Sequence, residues 1–282
     1  MTATAYAVRE RGIHDAPMVR LINHDLSTAQ VYLHGASLTS WSPARGGERL
    51  YLSERATFAG EGAIRGGTPI CWPQFNLVGP LPRHGFARSM QWDYMGAVWG
   101  EGALTARFML ASDAATRSIW PVDFECEYNV TVGGEMLDLR LTVRNTGPQD
   151  FSFTGALHSY LAASAGDVRL EGLHGASYMQ FPSTERVTDS EPVFTLSGPQ
   201  DRIYVGQSQG LTMHGGPSPL RIEKQNWPDV VVWNPHTNAA NIPDMHPDDW
   251  QRFICVEAAC VATPIQVPAG GEWVGAQTLT AL

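Results

Sequence analysis

Glu257 and His158 are the two residues whose surroundings most favour chemistry. Glu257 is the one ionisable residue in Phe253-Ile254-Cys255-Val256-Glu257-Ala258-Ala259-Cys260-Val261, a run that is apolar on both alternating faces. Such a run predicts a central strand covered on both sides. A carboxylate buried there is costly unless it is paired. It therefore reads either as a general base with a raised pKa or as half of a structural ion pair with an arginine. His158 lies in Phe151-Ser152-Phe153-Thr154-Gly155-Ala156-Leu157-His158-Ser159-Tyr160. There Phe151, Phe153 and Leu157 share one face of a predicted strand, and Ser152, Thr154, Ala156, His158 and Tyr160 share the other. The second face is polar and small-sided, as the wall of a sugar-accepting cleft would be. A histidine on it can exchange a proton near neutral pH, although a lone strand histidine also has purely structural uses.

A third feature runs from Arg65-Gly66-Gly67-Thr68-Pro69-Ile70-Cys71-Trp72-Pro73 through Pro82-Arg83-His84-Gly85-Phe86-Ala87-Arg88. Proline removes ladder donors and fixes φ, so this stretch predicts a shaped loop rather than a strand or helix. It gathers Arg65, Arg83 and Arg88 in a chain of net charge −9. Guanidinium groups concentrated in an acidic protein suit a small anion, whereas a polyanion would need a basic stripe. The plainer reading is a surface loop with solvated arginines.

Other constellations are weaker. Asp244, His246, Asp248, Asp249 and His236 match no standard metal spacing and read as a solvated acidic loop. Trp72, Trp227 and Trp233 could stack on a sugar ring or belong to the core. The chain contains no Gly-x-Ser-x-Gly elbow, phosphate-cradling glycine loop or dinucleotide fingerprint.

The elements that must position these residues are strands. Alternation is clearest over 126–132 and 136–144, where a Gly-Gly-Glu turn joins two arms. Leu137, Leu139, Leu141 and Val143 take one face, and Asp138, Arg140, Thr142 and Arg144 the other. Further strand-like runs fall at 30–33, 92–99, 103–111, 151–161, 220–224, 230–233, 252–258 and 273–279. Helical periodicity is confined to 116–120 and 248–251. With 28 glycines and 19 prolines supplying turns, and no linker or repeat, the pattern predicts one large all-β domain over residues 1–282. A barrel is the alternative.

Composition bounds the rest. A hydrophobic fraction of 43% and a charged fraction of 17% describe a globular core and exclude disorder. The acidic balance speaks against nucleic acid and anionic membranes as partners, and no apolar run approaches membrane-helix length. Met1 to Arg11 shows no apolar core of signal-peptide type. Cys71, Cys126, Cys255 and Cys260 form no Cys-x-x-Cys pair and read as packed thiols, with a cytoplasmic location as the default expectation.

With these residues in view, nearly the whole chain resembles the aldose 1-epimerase superfamily, within it the hexose-6-phosphate mutarotases. The likeness rests on Arg-Gly-Gly-x-Pro-x-Cys-Trp-Pro at 65–73, Pro-x-His-Gly-Phe-Ala-Arg at 82–88 and Leu-His-Ser-Tyr at 157–160. Asp-Arg-Ile-Tyr at 201–204, Val-Val-Trp-Asn-Pro at 231–235 and Cys-Val-Glu-Ala at 255–258 complete it. The resemblance implies a large β-supersandwich with a few short helices. It implies His158 as general acid, Glu257 as general base, and Arg65, Arg88 and Asp201 as substrate-binding, with His84 touching the sugar. The implied reaction interconverts the anomers of a hexose 6-phosphate by ring opening and reclosure, with no metal or other cofactor, in a monomer whose partner is a sugar phosphate. A mutarotase for unphosphorylated aldoses and a non-catalytic sugar-phosphate-binding protein are the competing readings. Two positions depart from the family pattern. Arg83 replaces a glutamine or small residue, and is expected either to add a phosphate contact or to turn outward. Gln180 replaces an acidic residue.

Overall fold

Residues 4–60 and 62–282 are described by a computed structural model, so the first three residues of the 1–11 segment lie outside it. The strongest alternation in the sequence becomes the longest hairpin. Phe124–Gly133 and Met136–Asn145 pair antiparallel in full register, with Gly134 at φ +58° in the turn. Leu137, Leu139, Leu141 and Val143 are fully buried, while Asp138, Arg140 and Arg144 keep contact with solvent. Thr142, expected on the solvated face, is only 5% exposed.

This hairpin sits within a nine-stranded antiparallel sheet that ends at Asp93–Gly100 and includes Glu272–Ala281. An eight-stranded sheet packs against it, and a four-stranded sheet is built from Tyr6–Arg11, Pro17–Ile22, Thr28–Tyr32 and Ser37–Ser42. One continuous apolar cluster joins all three: Val19 and Val31 come from the small sheet, Tyr128 and Leu139 from the nine-stranded one, and Phe153, Val232 and Val256 from the eight-stranded one. Burying both inner faces is what makes stacked sheets stable. The all-β supersandwich expectation holds. Among the described residues, helix is limited to Ala114–Ile119, capped by a reciprocal Asp113–Thr116 box, and to short 3-10 turns such as Asp249–Arg252. No described helix is long and apolar enough to cross a membrane.

The predicted strand 151–161 does not form as one piece. It divides into Phe151–Leu157 and Tyr160–Ala162, with a register shift between Phe153 and Gly155. The interruption has a hydrogen-bond cause: the His158 N–H donates to Pro69 O at 3.0 Å and the Tyr160 N–H to Gly67 O at 2.8 Å, both on the arginine-rich loop. All four cysteines are buried free thiols, as the spacing predicted.

Gly67 shows how closely that loop is held. Its φ is +64°, and a Cβ there would stand 2.0 Å from Leu38 O. Left-handed backbone and a backbone clash act together, so Gly67→Ala should lower the unfolding free energy by roughly 2 kcal/mol or more. Urea denaturation checks this, and an unchanged midpoint would refute it.

Candidate active site

The site is built on one face of the eight-stranded sheet, and strand register alone assembles most of it. Residues directly opposite each other across antiparallel strands share a face. Asp201 pairs with Trp233, Trp233 with Cys255, and Cys255 with Tyr160. One row away, Ile203 pairs with Val231 and Val231 with Glu257. Leu157 pairs with Ala258 and Tyr160 with Cys255, which leaves His158 beside Glu257 in the gap between the two strand pieces. Asp201, Trp233, Glu257 and His158 thus meet, although more than 50 residues separate Asp201 from Glu257 along the chain.

The loop 72–88 closes the site from above. Gly85, at φ +69°, lets the chain pass within van der Waals range of Trp72, whose carbonyl accepts from the N–H groups of Phe86 and Ala87. His84 adopts φ +63°, an uncommon conformation for a residue with a side chain and a form of strain found at functional sites. The Asn76 N–H donates to His84 Nδ1 at 3.2 Å. A backbone N–H can only donate, so the neutral His84 ring carries its proton on Nε2.

The resulting cavity, about 230 Å³, is lined by Arg65, Arg83, His84, Arg88, His158, Asp201 and Glu257, together with Phe75, Asn76, Trp233 and residues 241–243. Its size suits a single sugar ring better than a drug-sized ligand. All seven residues singled out from the sequence therefore reach one space.

Within it, His158 Nε2 stands 3.4 Å from Glu257 Oε1, with Glu257 only 1% exposed. Neither carboxylate oxygen has a hydrogen-bond partner, and no arginine among the described residues lies within ion-pair distance of it. The structural ion-pair reading of Glu257 therefore does not apply. Burial, reinforced by the Asp201 charge and opposed by Arg88, pushes the Glu257 carboxyl well above the ordinary carboxylate range. Burial first, then the Arg65 and Arg88 charges, draws His158 down to about 3. Asp201 is raised to about 6 by burial, against the pull of Arg83. An unpaired carboxyl and a neutral imidazole thus stand 3.4 Å apart on the cavity lining, an arrangement of the kind that can pass protons to and from a bound ligand.

The arginines are held differently from one another. Arg65 donates from Nε to Asp244 Oδ1 at 3.1 Å and from Nη1 to the Tyr160 hydroxyl at 2.9 Å. That fixes the fork and leaves its remaining N–H groups for an anion. Arg88 Nη2 donates to Arg83 O at 2.9 Å, and Arg83 Nε donates to Asn76 Oδ1 at 3.1 Å. Arg83 thus lines the cavity while tied to its neighbour, between the two roles expected of it.

Several expectations need correction. On the presumed polar wall only His158 lines the cavity. Tyr160 stacks behind its ring at 4.7 Å, Thr154 accepts from the Phe75 N–H, and Ser152 is exposed, because the bulge after Phe153 breaks the simple alternation. The acidic loop is not merely solvated. Asp244 holds Arg65, and Asp249, 3% exposed, accepts from the His246 N–H and pairs with Arg252. Trp72 and Trp227 belong to the core, and of the three tryptophans only Trp233 faces the cavity. Gln180 is exposed beside Arg202, and nothing in the structure explains it. Sequence reasoning missed Asn76 and residues 241–243, which carry no local signal because only the folded loops bring them to the site.

With the geometry in place, the relatives can be set beside it. A protein from Cenchrus ciliaris named "putative glucose-6-phosphate 1-epimerase" is 35% identical over 268 residues, covering 90% of this chain and 81% of its own. A protein of the same name from Salmonella typhimurium is 29% identical over 262 residues, covering 91% and 87%. The crystal structure of a "putative mutarotase" from Salmonella typhimurium superposes with a TM-score of 0.88 at 28% identity, covering 98% of this chain and 93% of its own. A galactose mutarotase-related enzyme from Lactobacillus acidophilus, at 14% identity and a TM-score of 0.72, shares the fold over 99% and 97% of the two chains. Residues 17–280 match the aldose 1-epimerase family, and the chain belongs to it.

Proposed function

We propose that the protein interconverts the α and β anomers of a hexose 6-phosphate, with Glu257 as general base and His158 as general acid. The observation that carries this reading is a single cavity holding an unpaired carboxyl 3.4 Å from an imidazole, with three guanidinium groups on the same lining.

Glu257, as carboxylate, removes the proton from the anomeric hydroxyl. The electrons of that O–H bond form the C1=O1 double bond while the C1–O5 bond breaks, and the neutral His158 ring gives its Nε2 proton to O5. The ring is left as imidazolate beside the newly protonated Glu257 until reclosure returns the proton from O5. O1 and O5 are attached to one carbon, so groups this close together can face both at once. The open-chain aldehyde turns about C1–C2 and recloses on its other face, with both proton transfers reversed. Each positioned acid or base is worth roughly 10²–10⁴-fold, enough for a reaction that already proceeds slowly in water. Arg65, Arg83 and Arg88 hold the 6-phosphate, with His84 and Asp201 on sugar hydroxyls. Charge-assisted bonds from guanidinium forks suit a dianion, and the acidic remainder of the protein makes their grouping specific.

Anomer-exchange rates of glucose 6-phosphate and glucose, measured by NMR exchange spectroscopy, test the assignment. The phosphorylated sugar should show the higher kcat/KM by about 10²-fold or more, three guanidinium contacts being worth at least roughly that. Equal efficiency on both sugars would overturn the phosphate reading, and binding without acceleration would overturn catalysis.

A further inference from the structure

Gln277 belongs to the nine-stranded sheet, opposite Leu139 in register and on the face that forms the apolar core with Leu279. It is 1% exposed. A primary amide in that layer is costly unless every polar atom finds a partner. It reaches both partners across the gap between the sheets. Gln277 Oε1 accepts from the Ser159 hydroxyl at 2.6 Å, and Gln277 Nε2 donates to Val256 O at 3.0 Å. A carbonyl can only accept, so the amide orientation is fixed. Ser159 Oγ lies 3.2 Å from Thr68 Oγ1, and with its own proton given to Gln277 it accepts from Thr68 there. The Val256 N–H donates to Ser159 O at 3.2 Å.

These partners are the immediate neighbours of the acid and the base. Ser159 follows His158 at the break between the two strand pieces, where the regular ladder is replaced by bonds to the 67–69 loop and a single backbone bond from Val256. Val256 precedes Glu257. Gln277 and Glu257 also line one small void of about 10 Å³, so the amide lies against the strand segment that carries Glu257. Buried polar groups that are fully satisfied rigidify a core and select one arrangement of it. An apolar side chain of similar size would have filled the same space without adding a side-chain tie to the one backbone bond between the two segments.

We propose that Gln277 is a positioning residue: a crossbar from the opposite sheet that ties the His158 break to the Glu257 strand and holds acid and base in register. The kinetic part of this proposal rests on the functional reading above.

The test compares Gln277→Leu, Ser159→Ala and the double variant with the parent protein. Gln277→Leu should lower kcat by at least about tenfold, since small misplacements of reacting groups are that costly. KM for glucose 6-phosphate and the affinity for inorganic phosphate should stay within about twofold, because the arginines are untouched. Ser159→Ala should lower kcat less, and the double variant should lose less than the product of the two. A folded Gln277→Leu protein with kcat near that of the parent overturns the proposal, as does a parallel loss of phosphate affinity. If Gln277→Leu does not fold, Ser159→Ala decides, and an unchanged kcat there counts against the crossbar. The His158 imidazole NMR resonance, identified by its loss in His158→Gln, provides a readout independent of turnover. It should move in the variants, and an unmoved resonance overturns the proposal. If the parent turns over neither sugar, the functional reading fails, and this resonance alone decides the crossbar.

Discussion

Glu257→Gln should abolish anomer exchange for every aldose, lowering kcat by about 10²–10⁴-fold with little change in KM. The amide is isosteric with the carboxyl but cannot take up the anomeric proton, whereas the arginines proposed to hold the substrate are unchanged. Retention of more than about a tenth of the parent rate would remove Glu257 from the role of base. The same substitution should raise thermal stability at neutral pH. Burial raises the folded-state pKa of Glu257 above its unfolded value, so its contribution to stability is complete below the unfolded pKa. That contribution is lost as pH rises toward the folded pKa. The parent protein bears this loss at neutral pH and Glu257→Gln does not, so the gain in Tm should shrink as pH falls to ordinary carboxylate values. For the same reason the parent's kcat/KM should decline on acidification at a pH above the usual carboxylate range, as Glu257 takes up its proton.

Arg88→Ala should raise KM for glucose 6-phosphate by roughly 10- to 100-fold, the worth of one or two charge-assisted hydrogen bonds. Glucose itself should be little affected, and Arg88→Lys should recover only part of the loss, because an ammonium lacks the planar fork. Arg88 is also the positive charge that draws Glu257 downward, so its removal should move the acid limb of the pH profile to higher pH. Steady-state kinetics with both sugars as a function of pH separates the effects. An equal rise in KM for both sugars would show that Arg88 grips the ring rather than the phosphate.

Much of the site is legible in the sequence because burial makes certain residues conspicuous. A single carboxyl in the run 253–261 has to be explained, and three arginines among glycines and prolines in an acidic chain have to be explained too. Both reach the cavity. Alternation similarly marks the long hairpin 124–145, where one face is uniformly apolar. It fails where the period is broken: at the bulge after Phe153, at the His158 break, and in the short strands 169–171, 186–188 and 194–195, which are too brief to show a period. The N-terminal sheet is marked only at 30–33, since its strands interleave buried and half-buried residues of mixed type.

Asp244 marks the limit of such reading. In the sequence it belongs to an acidic loop with no distinguishing neighbour. In the structure it holds Arg65 from 179 positions away. Gln277 is equally silent, one amide in an ordinary strand pattern, until the opposite sheet supplies Ser159 and Val256.

The sequence by itself determined the kinds of element and the chemical types at the site. Side-chain polarity and backbone preference act locally, so period-two strands, proline-rich turns, a buried carboxyl and clustered guanidinium groups could all be read from the order of residues. Only the tertiary structure decided which of them meet, how far apart Glu257 and His158 stand, and in which direction burial pushes their proton affinities. Those depend on strand register, on loops that lend His158 and Tyr160 their hydrogen bonds, and on burial by residues hundreds of positions apart. Distance and desolvation are properties of the packed molecule, and together they turn a glutamate and a histidine into a close pair with shifted proton affinities.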